Sequence, residues 1–138
     1  MPMHFPRVPT LLTACSLLAA CVPVHADDVV GRYRLNQGHA TDVVEVRANG
    51  TYIHRYTAPP RPAVVDSGRW TLEQVNDRPA VVFDGFVHHS RSEFFPWAPI
   101  EPSIFPAPVE RTGSTLKLTV DDDINLAYVK QDGTDTSR

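Results

Sequence analysis

The sequence predicts an all-β fold, an antiparallel meander closed or partly closed into a small barrel, with a proline-rich aromatic loop between its later strands. Three observations carry this. Between Val29 and Lys130 apolar residues recur with period two in short runs. Clusters of Asn, Gly, Asp and Pro separate those runs at hairpin spacing. No apolar stripe with the helical period reaches a useful length.

Gly31–Leu35 opens the fold, with Tyr33 and Leu35 alternating against Arg32 and Arg34. Asp42–Ala48 follows, placing Val44, Val46 and Ala48 on one face. Asn49-Gly50 is the strongest hairpin signal, because both residue types tolerate the positive φ of a type I′ turn. Thr51–Thr57 is then the return strand. The Pro59-Pro60-Arg61-Pro62 block lacks ladder donors and makes a stiff connection into Val64–Leu72, where Trp70 and Leu72 share the core face and Arg69 and Thr71 point away. Asn76-Asp77-Arg78-Pro79 turns the chain into Ala80–Phe83. Thr115–Val120 alternates Leu116, Leu118 and Val120 against threonine and lysine, turns at Asp121-Asp122-Asp123, and returns through Ile124–Lys130. The polar tail, residues 131–138, is expected to be flexible.

Phe94–Pro108 breaks this rhythm. Pro96, Pro99, Pro102, Pro106 and Pro108 exclude a regular ladder, while Phe94, Phe95, Trp97, Ile100 and Phe105 make the stretch too apolar for a free linker. It is expected to pack back on the barrel. There its aromatics either close the core or line a ligand cavity or partner surface, and Phe94, Phe95, Trp97 and Phe105 are the candidate contact residues.

Catalytic and metal chemistry find little support in the pattern. His88-His89 is the adjacent histidine pair, with Asp84 and Glu93 nearby, and imidazole with carboxylate can hold zinc. Neighbouring residues on a strand point to opposite faces, so the pair cannot easily share one ion, and solvated side chains beside a loop are expected with no metal site. Asp121-Asp122-Asp123 lacks the glycine and distal glutamate of an EF-hand loop and reads as a hairpin tip. No Gly-x-Ser-x-Gly elbow surrounds Ser67 or Ser90, and proline-separated Glu93 and Glu101 cannot be brought together from sequence. A non-enzyme without cofactor is the expectation.

The N-terminus fixes an address. Arg7 and the terminal amine precede an apolar run, Leu11–Leu18, far shorter than the roughly 20 residues of a membrane span. The run ends in Leu18-Ala19-Ala20-Cys21. This resembles the lipobox of bacterial lipoproteins, in which the cysteine thiol receives diacylglycerol, the signal is cut before it and the new amine is acylated. The resemblance implies a signal peptide over residues 1–20 and lipidation at Cys21; after a short tether over 21–28, chain length and the strand runs predict a single domain over 29–130, held to the membrane through Cys21. Val22 in place of aspartate after the cysteine implies the outer membrane, facing the periplasm. A competing cut after Val24-His25-Ala26 would release a soluble periplasmic protein.

Cys15 leaves with the signal and Cys21 is committed to lipid, so no disulfide supports the domain. The net charge of −3 becomes more negative when Arg7 leaves, and no basic stripe exists to displace counterions, which excludes nucleic acid as a partner.

Gly31-x-Tyr33, Val44-x-Val46 leading into Asn49-Gly50-Thr51-Tyr52, and Ser67-Gly68-Arg69-Trp70-Thr71-Leu72 together resemble the strand pattern of lipocalin-like bacterial envelope domains over about residues 31–83. The expected function is a non-enzymatic envelope lipoprotein acting as a periplasm-facing binding or interaction module. The alternatives are a lipocalin-like carrier of a small apolar ligand, or an inhibitor or immunity protein acting on an envelope-directed enzyme.

Overall fold

Eight strands form where the period-two runs lie, each antiparallel to its neighbour in sequence, and the last pairs with the first to close a barrel. The computed structural model describes residues 1, 22–97 and 100–133. Residues 2–20 of the expected signal, Cys21 and residues 134–138 of the expected tail lie outside the described residues.

One helical turn, α1 (Ala26–Val29), leads into β1 (Gly31–Leu35), β2 (Thr41–Val46), β3 (Thr51–Thr57), β4 (Val64–Val75) and β5 (Arg78–Phe86). A second turn, α2 (Arg91–Phe94), precedes β6 (Ser103–Thr112), β7 (Thr115–Asp121) and β8 (Leu126–Lys130). Closure comes from β1 against β8, with Arg34 opposite Val129. No described helix is long and apolar enough to cross a membrane.

Because successive strands reverse, the barrel has two unlike ends. Tight hairpins at 47–50, 76–77 and 113–114 gather at one, and the longer connections 36–40, 58–63, 87–102 and 122–125 gather at the other. The hairpin end is capped by α1. Val29 is fully buried and its carbonyl accepts from the Tyr33 hydroxyl at 2.8 Å. Lys130 Nζ donates to the Asp28 carbonyl at 2.5 Å, and Arg111 pairs with the Asp28 carboxylate at 3.2 Å. Residues 26–28 of the expected tether thus lie against the barrel.

Alternation fills the interior as the sequence predicts. Tyr33, Val44, Val46, Tyr52, Trp70, Phe83, Leu118 and Tyr128 point inward and form one core cluster. Charged residues at Arg32, Arg34, Arg55, Arg69 and Glu73 stay exposed outside, the reverse of a lipid-facing barrel. Each large side chain buried in such a core contributes about 1.5–3 kcal/mol over its exposed state. Gly68 is required by this packing: a Cβ there would lie 2.3 Å from the Asp84 carbonyl and 2.8 Å from the Tyr52 ring.

Three local expectations are corrected. At Asn49-Gly50 only Gly50 takes positive φ, at 81°. The Gly50 N–H donates to the Arg47 carbonyl at 3.1 Å, and the Asn49 side-chain oxygen accepts from the Thr51 N–H and hydroxyl at 3.1 and 2.6 Å. The hairpin is therefore a turn followed by a left-handed glycine, not type I′. The two-residue turn with positive φ throughout is Asn76-Asp77, at 50° and 62°, joining Val75 to its partner Arg78.

The second correction concerns the prolines, since Pro106 and Pro108 lie within β6, opposite Val82 and Ala80 of β5. Two residues apart, their nitrogens face the same edge of the strand, and β7 engages β6 only from Val109 onward. No ladder donor is missed where they sit. The third concerns Ala48 and Ile124, both expected in strands, which lie in exposed turns.

Candidate functional site

The inward rows of β2, β3 and β4 do not stay apolar to the loop end of the barrel. Two residues before Val44 the β2 row reaches Asp42. Two after Tyr52 the β3 row reaches His54 and then Tyr56, and four before Trp70 the β4 row reaches Asp66. Register sets them side by side: Val44 faces His54, Asp42 faces Tyr56, and His54 faces Asp66. From β8, Tyr128 points into the same region.

Asp42 is the hub. Only 2 % exposed, it accepts from His54 Nε2 at 2.7 Å and the Tyr128 hydroxyl at 2.8 Å on one oxygen, and from Ser90 Oγ at 2.5 Å on the other. The opposite ring nitrogen of His54, Nδ1, lies 3.2 Å from the Asp66 carboxylate. His89 Nε2 lies 3.0 Å from the same carboxylate. Each carboxylate thus has donors from separate segments of the chain, which is what a buried charge requires.

Burial alone would push the His54 imidazole toward its neutral form, but hydrogen bonds and charge from Asp42 and Asp66 outweigh it and raise the pKa to about 9. The ring is therefore imidazolium at neutral pH and donates from both nitrogens. Its cation stacks on Phe86 with centroids 4.6 Å apart. Burial likewise works against the Asp66 carboxylate, and the His54 and His89 rings overcome it, holding the carboxyl below its ordinary range. Tyr128 is pushed well above the usual phenol value by burial and by the Asp42 charge, so it remains a donor.

Phe86 reaches this place through an irregularity. Phe83 and Phe86 are three apart, yet both are wholly buried, because the β5–β6 register shifts between them and Gly85 takes φ 73°. The aromatic wall continues into β6, with Phe105 5.1 Å from Phe86 and 5.9 Å from Phe83.

Residues 87–95 lie over the loop end and are fastened by the same polar groups. His89 holds Asp66 and Ser90 holds Asp42. The Tyr56 hydroxyl donates to Glu93 Oε1 at 3.0 Å, and the His39 N–H to Glu93 Oε2 at 3.0 Å. Under and beside this lid is a cavity of about 350 Å³. Leu35, Phe95, Phe105, Val120 and Leu126 supply its apolar lining, and Asp42, His88, Ser90, Arg91, Asp121 and Tyr128 its polar lining.

The candidate aromatics separate. Phe105 is a core residue of β6, 8 % exposed, whose ring also reaches the cavity. Phe95 lines the cavity, Phe94 packs half-buried against the core, and Trp97 stays outside, 77 % exposed, edge-on to Phe95. His88 and His89 lie beyond the end of β5, in the lid, and face different partners, Phe105 and Asp66, so neither is freely solvated. His88 packs edge-on to Phe105 at 4.3 Å, and burial with the nearby Arg91 and His54 charges lowers its pKa to about 4, leaving it neutral. Expected as a polar neighbour of that pair, Glu93 clamps the lid, and Asp84 is exposed on the outer face.

Although no metal was expected, His54, Asp66 and His89 form a group with the composition of one. Their candidate donor atoms lie within 4.8 Å of one another. Adjacency along the chain points to His88-His89 and hides this group; the usable signal is the inward parity of Asp42, His54 and Asp66. Comparison with family models, curated proteins and solved structures finds no match to this chain.

Proposed function

We propose that this chain is a lipid-anchored, periplasm-facing binding module that holds a small, partly apolar ligand at the lidded end of its barrel. The observation that carries this reading is the cavity of about 350 Å³, within the size range of small-molecule sites, with an apolar wall of Leu35, Phe105 and Leu126 and a few fixed polar groups. Asp42, Ser90 and Tyr128 are held by one another, so the polar rim is preorganised. The charged outer wall and the apolar core support a barrel that works in water.

Val120 lines the cavity without belonging to the polar network. Val120→Trp should fill it: native mass spectrometry of protein purified from membranes should show a retained small molecule on the wild type and none on the variant, with the unfolding midpoint nearly unchanged. Bare wild type that takes up nothing from an envelope lipid extract would refute the carrier reading. A stoichiometric protein in the same preparation would favour an interaction module, a reading supported by exposed Trp97 and Ile104.

Anchoring is tested separately. Cys21→Ser should move the protein from the membrane to the soluble fraction, since acyl chains contribute about 0.8 kcal/mol per buried methylene. A soluble wild type beginning at Asp27 would sink the lipidation reading.

A further inference from the structure

We propose that His54, Asp66 and His89 bind one divalent transition-metal ion of the zinc class, at a site separate from the apolar cavity. The donors come from three parts of the chain, β3, β4 and the lid, so their convergence is a product of the fold and not of local sequence. One donor atom from each lies within 4.8 Å of the others, and His54 Nδ1 and His89 Nε2 lie 3.2 and 3.0 Å from the Asp66 carboxylate. Two imidazoles and one carboxylate suit borderline cations over calcium or magnesium, which prefer oxygen alone, and three protein donors leave room for water or another ligand.

A second observation points the same way. Asp42 accepts from His54 Nε2 at 2.7 Å, which fixes the ring with Nδ1 turned toward Asp66, the nitrogen that would ligate once an ion displaces its proton. A carboxylate behind a ligating histidine is the usual way a protein orients such a ring. Asp42 is itself fixed by Ser90 and Tyr128, and the His54 ring by its stacking on Phe86. His89 is similarly held against Tyr56, with ring centroids 5.2 Å apart.

Charge and access are consistent with an ion. The carboxylates of Asp42 and Asp66 flank the His54 ring, one on each nitrogen. A divalent ion held here brings two positive charges to those two carboxylates. His54 is sealed inside, but the Asp66 and His89 side chains are 19 % and 16 % exposed, so an ion can enter from their side. Neither residue lines the apolar cavity, so the inference does not rest on the ligand reading. Occupancy would join the lid to β3 and β4 by bonds stronger than the hydrogen bonds between them.

The test uses tag-free full-length protein in detergent, stripped with chelator and titrated with Zn²⁺ by calorimetry and with Co²⁺ by visible absorption. One saturable equivalent is expected, with ring-nitrogen resonances of His54 and His89 shifting together on Zn²⁺ addition. His89→Ala alters a partly exposed lid residue and should abolish the stoichiometric site. Asp42→Asn, which touches no metal, should weaken binding by about 10–100-fold through loss of orientation. Should Asp42→Asn fail to fold, His89→Ala and the nitrogen resonances still decide. Absence of a saturable equivalent in the wild type would overturn the proposal and leave the three residues as a hydrogen-bonded clasp. Undiminished binding by His89→Ala, or resonances that do not move, would place the ion elsewhere and overturn it equally.

Discussion

Asp42→Ala should destabilise the barrel by about 3–5 kcal/mol, the range for removing one partner of a buried charge pair. The substitution removes one of the two carboxylates that stabilise the His54 cation, and it removes the acceptor of the Ser90 and Tyr128 hydroxyls. Buried donors left without partners add their own penalty. Denaturant unfolding measures the loss. A variant within about 1 kcal/mol of wild type would mean that the hub contributes little, by the same principle that makes some buried pairs replaceable.

The same network gives the metal-free protein a pH dependence whose sign is fixed. His54 titrates at about 9 in the fold against an ordinary 6.5, because Asp42 and Asp66 outweigh its burial. A raised folded pKa means that this stabilisation is complete below about 6.5 and disappears as pH rises through about 9. From the shift it is on the order of 3 kcal/mol. Groups facing the ring are Asp42, Asp66, His89 and Tyr128. Asp66 contributes in the opposite sense: its lowered pKa adds stability above the ordinary carboxyl value, lost as the solution becomes strongly acidic. Unfolding curves in chelator should therefore weaken between neutral pH and about 9 in the wild type, and Asp42→Ala should flatten that slope.

Trp70→Ala is expected to cost about 3–5 kcal/mol, since truncating a large buried aromatic removes both transfer free energy and packing. Its ring is 7 % exposed within the core cluster. The indole N–H donates to the Arg47 carbonyl at 2.8 Å, and the Trp70 backbone N–H to the Gly50 carbonyl at 3.0 Å. The residue thus fastens the β2–β3 hairpin to β4. Loss of this size removes much of the stability of a domain that has only about 5–15 kcal/mol in total. A near-native midpoint would show that the hairpin and its neighbours close the space left by the ring.

The barrel was legible because alternation is a local property. Val44 with Val46, Tyr52 on the return strand, Trp70 on the next and Leu116 with Leu118 later all report which side of their strand is dry. The site was half legible in the same way, because Asp42, His54 and Asp66 continue those inward rows as polar residues. Parity could not supply their mutual position, which depends on register across three strands and on a lid from a distant part of the chain. Phe86 and the β6 prolines were hidden for a related reason. A bulge at Gly85 reverses the inward parity of Phe86 relative to Phe83, and Pro106 and Pro108 are tolerable only because β7 begins its pairing beyond them.

The sequence by itself determined the class of fold, the order of its hairpins and the apolar faces of most strands, since each depends on residue types within a few positions of one another. Tertiary structure alone decided that the meander closes, that residues 87–95 lie across one end, and that Ser90 and His89 meet Asp42 and Asp66. Those contacts join residues 48 and 23 positions apart. Their formation depends on strand stagger and on the burial of charge, quantities that exist only once the barrel has shut water out.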